Sequence, residues 1–333
     1  MAKVRFGIVG AGAIARAYAQ AFQSCDEAEV VGVSDVRDDA AKALADSLGA
    51  KAFTCHREMA DRTSPEAVLI STPPASHPEI CLDFIARRVP VLCEKPFAVS
   101  VKDALEVLDA AEKSRVTITM ASKFRYVPDV AEAKRIVDSG ELGDVVLFEN
   151  AFASRVDMSS RWNSDPAVGG GGVLIDNGTH SLDLARHFLG PLAKVLAVEG
   201  ARQPGLRVED TVTVFVRSER GVIGTIDLSW TINKELDRYV SLFGTRGAVV
   251  VGWKQSRFRR LDSPEWTVIG NGYDKVGAFR AQLDNFARAV RGQEEPLVGA
   301  KDILGSVRVV EAAYESLRRN YWTSVDSELP ART

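Results

Sequence analysis

A carboxylate and an imidazole stand four residues apart in a stretch that could perform acid-base chemistry. The segment opens with four glycines at 169–172 and continues with apolar residues at helical spacing, which predicts a helix over Gly172–Phe188. Residues four apart share one helix face, so Asp176 and His180 lie within hydrogen-bonding reach. A histidine with an ordinary pKa of about 6.5 can take a proton from a substrate hydroxyl. The pair could instead only tie the helix together, so the rest of the chain must distinguish the two interpretations.

A glycine-rich turn near the N-terminus has the spacing of a dinucleotide-binding site. It lies between a predicted strand and a predicted helix and reads Gly10-Ala11-Gly12-Ala13-Ile14-Ala15. Gly10 permits the tight turn, Gly12 lets the backbone approach a pyrophosphate, and the small Ala15 allows helix and strand to pack closely. The N–H groups at the helix start, around Ala13 and Ile14, are then directed at the phosphates.

An aspartate at the end of the second predicted strand indicates which dinucleotide binds. Asp35 follows Ala15 by 20 residues, where a ribose-binding acid is expected. A carboxylate accepts hydrogen bonds from a free ribose 2′-hydroxyl and repels a 2′-phosphate, so we expect NAD to be preferred over NADP. Arg37 could turn toward a 2′-phosphate, although its place favours a solvated position at the start of the next helix.

Alternating strands and helices over the first third of the chain predict a parallel, doubly wound sheet. The predicted strands are Lys3–Val9, Glu29–Ser34, a short one near Ala52, Ala67–Ser71, Val89–Cys93 and Val116–Met120. The predicted helices are Ile14–Phe22, Asp38–Leu48, His77–Arg87 and Val101–Ser114.

Two turns that follow predicted strands carry polar groups at the expected ligand edge of this sheet. The first runs from Thr72 and Pro73 to His77, and the second contains Glu94 and Lys95 before a proline. Ligands of such sheets bind beyond the carboxyl ends of the strands, so we assign these five residues to the cofactor site. Lys95 is the stronger candidate because a strand end and a proline restrict its backbone, whereas His77 could simply begin its helix.

Together these motifs resemble the Gfo/Idh/MocA family of oxidoreductases over essentially the whole chain. The resemblance rests on the glycine turn, the Thr72–His77 turn, Glu94-Lys95-Pro96 and the glycine-rich segment ending in Asp176 and His180, all in the family's order. It implies a Rossmann domain followed by an α/β domain with a large open sheet. It also implies oxidation or reduction of a carbinol of a sugar, cyclitol or sugar derivative, with Lys95, Asp176 and His180 at the catalytic positions.

The remainder of the chain predicts an α+β domain with a mainly antiparallel sheet, so we divide the chain into residues 1–122 and 123–333. Its predicted strands are Val145–Ala153, Lys194–Ala201, Thr211–Val216, Val222–Trp230, Arg238–Phe243 and Ala248–Gly252. Its predicted helices are Pro128–Ser139, Gly172–Phe188, Ala278–Val290 and Lys301–Arg318, of which the last three are expected to cover the sheet face bearing Val212, Val214 and Val216. Candidates for the substrate pocket are Arg125, Tyr126, Trp162 and Asn163.

The other face of this sheet, which bears Phe215 and Ile223, is too apolar to be fully exposed to solvent. We expect it to pair with its own copy, which predicts a homodimer or homotetramer.

Composition argues against several functional classes. The 333 residues carry a net charge of only -3 and no long basic block, which argues against nucleic acid or an anionic membrane as partner. No apolar run reaches the length of a membrane span, and the chain leads from Met1 directly into a strand, so we expect a cytoplasmic protein without a signal peptide. Cysteines 25, 55, 81 and 93 lack the paired spacing of a zinc site.

The predicted function is therefore an NAD-dependent dehydrogenase of a polyhydroxylated small molecule. His180 would accept the hydroxyl proton, Asp176 would orient the imidazole or bind a neighbouring hydroxyl, and Lys95 would stabilise the developing alkoxide. A metal site built from Asp176, His180, Asp183 and His187 is disfavoured, because the cofactor already supplies the redox chemistry. Two alternatives within the same superfamily are a glycosidase acting by transient oxidation and a non-catalytic ligand sensor.

Overall fold

The computed structural model describes residues 2–158 and 161–325 and divides into two compact units. The first unit contains the described residues up to Tyr126 together with Asp274–Leu304, and the second contains Val127–Tyr273 and the described residues from Gly305 onward. The prediction that the chain leads into its first strand without a signal peptide starts at Met1, and Met1 lies outside the described residues.

Up to Tyr126 the helices and strands are β1 (Val4–Val9), α1 (Ala13–Gln23), β2 (Ala28–Ser34), α2 (Asp38–Leu48), β3 (Lys51–Phe53), α3 (His56–Thr63), β4 (Ala67–Ile70), α4 (His77–Ala86), β5 (Val91–Glu94), α5 (Val101–Ser114) and β6 (Ile118–Ala121). They are followed by α6 (Pro128–Asp138), β7 (Val145–Ala153), α7 (Pro166–Gly169), α8 (Val173–Leu189), β8 (Leu192–Glu199), β9 (Thr211–Ser218), β10 (Ile223–Ser229), β11 (Arg238–Gly244), β12 (Gly247–Gly252), β13 (Ser256–Arg260) and β14 (Thr267–Gly270). The chain order ends with α9 (Lys275–Val290), α10 (Ala300–Arg319) and β15 (Thr323–Ser324).

The sheet of the first unit has six strands in the order β3-β2-β1-β4-β5-β6, and every pair is parallel. Strands β4 and β5 are buried along their whole length, as expected for parallel strands covered on both faces. Because all strands run the same way, the turns that follow β1, β2, β4 and β5 share one edge. The predicted doubly wound sheet is thus confirmed, and its carboxyl edge carries the glycine turn, Asp35, Thr72 and Lys95.

Helix α9 packs in the first unit and not on the second sheet, so the prediction that it covers that sheet was wrong. The Phe286 ring of α9 lies 6.1 Å from Phe6 of β1, and Phe279 lies 4.2 Å from Tyr18 of α1, both measured between ring centroids. Together with Leu283 and Ala287 these α9 residues belong to the buried core around α1 and β1. The first unit consequently extends beyond the predicted residues 1–122, with 274–304 returning to it.

The second unit is built on a nine-stranded sheet in the order β14-β13-β12-β11-β7-β10-β9-β8-β15. All of its pairs are antiparallel except β10 with β7, which confirms the prediction of a mainly antiparallel sheet. Val212, Val214 and Val216 are fully buried on one face, where α8 packs against β7, β9 and β10. This face therefore fixes the helix that carries Asp176 and His180.

The opposite face of the second sheet is partly apolar and exposed. Phe215 of β9 and Ile223 of β10 are 38% and 54% exposed, and Val198 of β8 is 44% exposed. The register pairs Val198 with Thr213 and Phe215 with Thr225, so these side chains share the face. No helix among residues 2–158 and 161–325 is long and apolar enough to cross a membrane.

Candidate active site

The turn after β1 has the local geometry that a dinucleotide requires. Gly10 has φ +94°, and a Cβ at this position would lie 2.8 Å from the carbonyl carbon of Ser71, so only glycine fits. A Cβ added at Gly12, in contrast, would meet no atom within 4 Å, so open space lies in front of this backbone. Gly12 precedes α1 without any side-chain cap, which leaves the N–H groups at the helix start available to phosphate oxygens. These residues fit a bound pyrophosphate.

Asp35 is held beside this turn by backbone hydrogen bonds. Its Oδ2 accepts a 2.7 Å hydrogen bond from the Ala11 N–H, and its Oδ1 accepts one of 2.9 Å from the Arg37 N–H. Partial burial alone would raise the pKa of Asp35, but these bonds and the Arg37 guanidinium outweigh it and lower the pKa below the ordinary aspartate value. The side chain is thus a fixed, ionised acceptor at the end of β2, where a ribose would bind. Arg37 contacts the same carboxylate at 3.4 Å with its side chain 62% exposed.

Lys95 follows β5 and is half-buried, whereas the preceding Glu94 is buried. Glu94 Oε2 accepts a 3.0 Å hydrogen bond from the Lys95 N–H, and its Oε1 accepts a 3.0 Å bond from the Tyr18 hydroxyl. Burial raises the pKa of Glu94, opposed by the charges of Lys95 and Lys123 and by these hydrogen bonds. Glu94 is therefore buried with both carboxylate oxygens accepting hydrogen bonds from the protein, and its contact with a cofactor stays a prediction.

His77 is fully buried at the start of α4, between the two turns. Its Nδ1 lies 2.9 Å from the carbonyl oxygen of Pro96, and its Nε2 lies 2.8 Å from that of Thr72. Burial lowers the pKa of His77, against the contrary effect of the carbonyl contacts. Both ring nitrogens are thus engaged by backbone, so His77 joins the turns. Thr72 and Pro73 are half-buried, and the Ser76 hydroxyl donates to Thr72 Oγ1 at 2.8 Å.

Asp176 and His180 lie one helical turn apart on α8, as predicted. Asp176 is in the first turn and half-buried, while His180 is 9% exposed. The pair belongs to the second unit, and Lys95 belongs to the first. Each of the three side chains has polar or electrostatic interactions in the structure.

The start of α8 rests on a buried carboxylate that the sequence analysis missed. Glu209 Oε1 accepts hydrogen bonds from the N–H groups of Gly172 and Leu174 at 2.9 and 3.1 Å, and from the Tyr314 hydroxyl at 2.7 Å. Burial raises the pKa of Glu209, opposed by these three donors. The glycines were the available signal, because a Cβ at Gly171 would lie 1.9 Å from the Tyr314 hydroxyl and one at Gly172 would lie 2.0 Å from the Glu209 carbonyl oxygen.

The candidates for the substrate pocket have different surroundings. Arg125 is buried and forms a 3.0 Å ion pair with Asp302, and the Tyr126 hydroxyl donates to Asn285 at 2.9 Å, so both have contacts within the first unit. Trp162 is 45% exposed in a 3₁₀ turn of the second unit. The backbone of the half-buried Asn163 packs against Gly169, where a Cβ would lie 3.2 Å from the Asn163 carbonyl oxygen.

Family models match both parts of the chain. Residues 4–122 match an oxidoreductase family with an NAD-binding Rossmann fold, and residues 130–250 match the Gfo/Idh/MocA C-terminal domain. The chain belongs to the Gfo/Idh/MocA family. This confirms the resemblance inferred from the motifs, and the protein is an oxidoreductase.

Several relatives are named as dehydrogenases of sugars or cyclitols. The chain is 24% identical to myo-inositol 2-dehydrogenase of Thermotoga maritima, over 94% of this chain and 96% of the relative. It is 28% identical to D-xylose 1-dehydrogenase (NADP(+)) 2 of Haloferax volcanii, over 93% and 96%. The solved structure of levoglucosan dehydrogenase in complex with NADH and levoglucosan has the same fold, with a TM-score of 0.90 and 20% identity over 98% and 100% of the two chains.

Proposed function

We propose that this protein is an NAD-dependent dehydrogenase that oxidises a carbinol of a sugar or cyclitol. The observation that carries the proposal is the carboxyl edge of the parallel sheet, where Gly10, Asp35, Thr72 and Lys95 follow neighbouring strands. Gly10 packs on the backbone at Ser71, and His77 joins Thr72 to the Lys95 turn. One continuous edge thereby combines a phosphate-binding turn, a ribose-binding acid and a cation.

The chemistry divides between the family's cofactor and the residues of this chain. NAD held at this edge would accept the hydride that leaves the carbinol carbon. His180 takes the hydroxyl proton, and Asp176 orients its imidazole or binds a neighbouring hydroxyl. Lys95 stabilises the negative charge that develops on the substrate oxygen. The names of the relatives support a polyhydroxylated substrate.

We propose NAD as the preferred cofactor because of Asp35. Its carboxylate is fixed and ionised, so it repels a 2′-phosphate and accepts hydrogen bonds from a free ribose. One relative is named as an NADP(+) enzyme, so the cofactor preference of this protein has to be measured directly.

We further propose that two copies pair through the exposed face of the second sheet. Val198, Phe215 and Ile223 supply apolar area there, and closed symmetric pairing is the usual outcome for such faces. Ion pairs of Asp227 with Lys234 and of Glu149 with Arg238 border this area and give it polar specificity.

The decisive experiment measures NADH formation with myo-inositol, D-xylose and levoglucosan. His180→Ala should retain NAD affinity, because the dinucleotide is bound by the first unit, yet lower kcat by about 10²- to 10⁴-fold, the usual contribution of a positioned acid-base group. Lys95→Met should also lower kcat.

His56→Ala provides the control, because the His56 imidazole pairs with Asp83 at 2.8 Å and is not among the residues proposed to bind cofactor or substrate. A His180→Ala enzyme that oxidises its substrate at the normal rate would contradict the mechanism. Ligand binding without turnover in the unmutated protein and in all of its variants would favour a sensor. Release of free sugar from a glycoside without accumulation of NADH would favour a glycosidase.

A further inference from the structure

The turn that carries Lys95 is fixed from both sides by buried polar side chains of neighbouring helices. We propose that Tyr18, acting through Glu94, and His77 are positioning residues that set the place of Lys95. The inference rests on the proposed role of Lys95 in stabilising the substrate oxygen, and it assigns to Glu94 and His77 a task other than contact with the cofactor.

On the amino side of Lys95, the anchor is a buried chain of hydrogen bonds. Gln282 Nε2 donates to the Tyr18 hydroxyl at 3.3 Å, Tyr18 donates to Glu94 Oε1, and Glu94 Oε2 accepts the Lys95 N–H. Tyr18 and Gln282 are fully buried and Glu94 is 6% exposed. A buried carboxylate needs donors, so the Tyr18 hydroxyl holds Glu94 in the one orientation that receives the Lys95 N–H. Tyr18 lies on α1, whose first turn forms the phosphate site.

On the carboxyl side, the anchor is the imidazole of His77. Its two nitrogens point in opposite directions, toward the carbonyl oxygens of Pro96 and Thr72. A neutral imidazole has one N–H and donates to one of these oxygens at a time. The ring also fills the space between the turns, since it has no exposed area. It therefore holds the turn after β5 against the turn after β4.

Such anchoring matters because a lysine ammonium stands on a flexible four-carbon stem. The two anchors act on the Lys95 N–H and on the Pro96 carbonyl, so they set where this stem begins. Displacement of a catalytic group by about 1 Å can cost about 10²-fold in rate. Loss of either anchor should lower kcat while the phosphate and ribose sites stay intact.

The test is a double-mutant cycle in the full-length protein. Tyr18→Phe and His77→Leu are made alone and in the Lys95→Met background. We measure kcat and KM with whichever of myo-inositol, D-xylose and levoglucosan the unmutated protein oxidises fastest. Each anchor variant alone should lower kcat about 10- to 10²-fold, with little change in NADH affinity measured by fluorescence. In the Lys95→Met background the same changes should lower kcat no further, because the group that they position is absent.

A conservative variant and two controls separate positioning from general destabilisation. His77→Asn retains an amide nitrogen close to the place of Nδ1 and should recover part of the kcat lost in His77→Leu. Thr119→Val removes another buried hydrogen bond of the first unit, from Thr119 Oγ1 to Val298 at 2.8 Å, and should lower Tm without lowering kcat. His56→Leu makes the same substitution at a histidine whose hydrogen-bond partner is Asp83 of α4.

Hydrogen exchange gives a readout independent of turnover. Peptides that cover residues 94–98 should exchange faster in Tyr18→Phe and His77→Leu than in either control. Unchanged exchange there, or an equal loss of kcat in both backgrounds, would overturn the positioning role. Should Lys95→Met itself keep the normal kcat, it is the proposed role of Lys95 that fails, while exchange still reports whether the anchors hold the turn.

Discussion

The Asp35 carboxylate has two tasks that a single substitution would remove together. It accepts the Ala11 N–H and so holds the glycine turn, and its remaining lone pairs are the proposed acceptors for a ribose. Arg37 donates to the same carboxylate from its backbone and its side chain. The residue therefore shapes the glycine turn in addition to its proposed contact with the cofactor.

Replacing Asp35 by alanine should weaken NAD binding about 10- to 10²-fold, as expected for the loss of hydrogen bonds to a charged group. Affinity for NADP should fall less or rise, because the repulsion of a 2′-phosphate disappears and Arg37 is released. Fluorescence titration with NADH and NADPH measures both. Asp39→Ala, at an exposed carboxylate in the first turn of α2, should change neither. Equal affinity of the unmutated protein for both cofactors would refute the assignment.

At this scale the sequence predicted which residues lie on the relevant turns, but not where their side chains point. Thr72, His77, Glu94 and Lys95 all follow the predicted strands, as the strand-turn pattern requires. The orientation of the His77 side chain depends on the carbonyl of Pro96, 19 residues later in the sequence. The orientation of the Glu94 side chain depends on Tyr18, 76 residues earlier. Such partners are set by tertiary packing, which a local motif does not encode.

The N-terminus of helix α8 is stabilised by a side chain from a different part of the chain. Glu209 precedes β9, and Tyr314 comes from α10, yet both meet the glycines before α8. The Glu209 carboxylate accepts N–H groups that a helix start leaves without intrahelical partners, and the Tyr314 hydroxyl donates to that carboxylate. The orientation of Asp176 and His180 consequently depends on residues well outside their own helix.

Tyr314→Phe should lower the free energy of unfolding by about 1.5–3 kcal/mol, because it removes a hydrogen bond to a buried carboxylate. Denaturant unfolding of the full-length protein measures the loss. Tyr321→Phe makes the same substitution at a tyrosine that is 44% exposed, and it should cost less than about 0.5 kcal/mol. Equal stability of the two variants would show that the Glu209 contact contributes nothing to the folded state.

Among the elements, the sequence predicted most where apolar periodicity was strong. The strands of the parallel sheet and helices α1, α2, α4 and α5 lie within a few residues of their predicted bounds. Helix α3 was missed because only Met59, Ala60 and Thr63 of its eight residues are buried, too few for a recognisable stripe. Strands β13 and β14 were missed because they are short and carry few apolar residues, with Phe258 alone in β13 and both Thr267 and Val268 exposed in β14.

For the molecule as a whole, the exposed sheet face is the feature on which the proposed self-association depends. Ile223→Arg combined with Phe215→Glu should convert a dimer into monomers, because charges replace the apolar contact area of each copy. Light scattering at micromolar concentration measures the mass. Leu297→Arg, which places a charge at an exposed leucine of the first unit, should leave the mass unchanged. A monomeric unmutated protein would contradict the proposed pairing.

The assignment of α9 shows what sequence periodicity leaves undetermined for the molecule as a whole. The helix itself was predicted, since its apolar residues recur at helical spacing. The sheet against which the helix packs was not predicted correctly, because Phe279, Leu283 and Phe286 could equally cover either sheet until the path of the chain is known. The chain passes from one unit to the other after Tyr126, Tyr273 and Leu304.

This path has a consequence for synthesis of the protein on the ribosome. The core around Phe6 and Phe22 needs Phe286 and Ala287, which follow Tyr126 by about 160 residues, and at about 5–20 residues per second their translation takes on the order of 10–30 s. During that interval the nascent first unit exposes the apolar surface that α9 later covers, while the second unit is being made. The first unit therefore completes its folding only after residues 127–273 of the second unit have been translated.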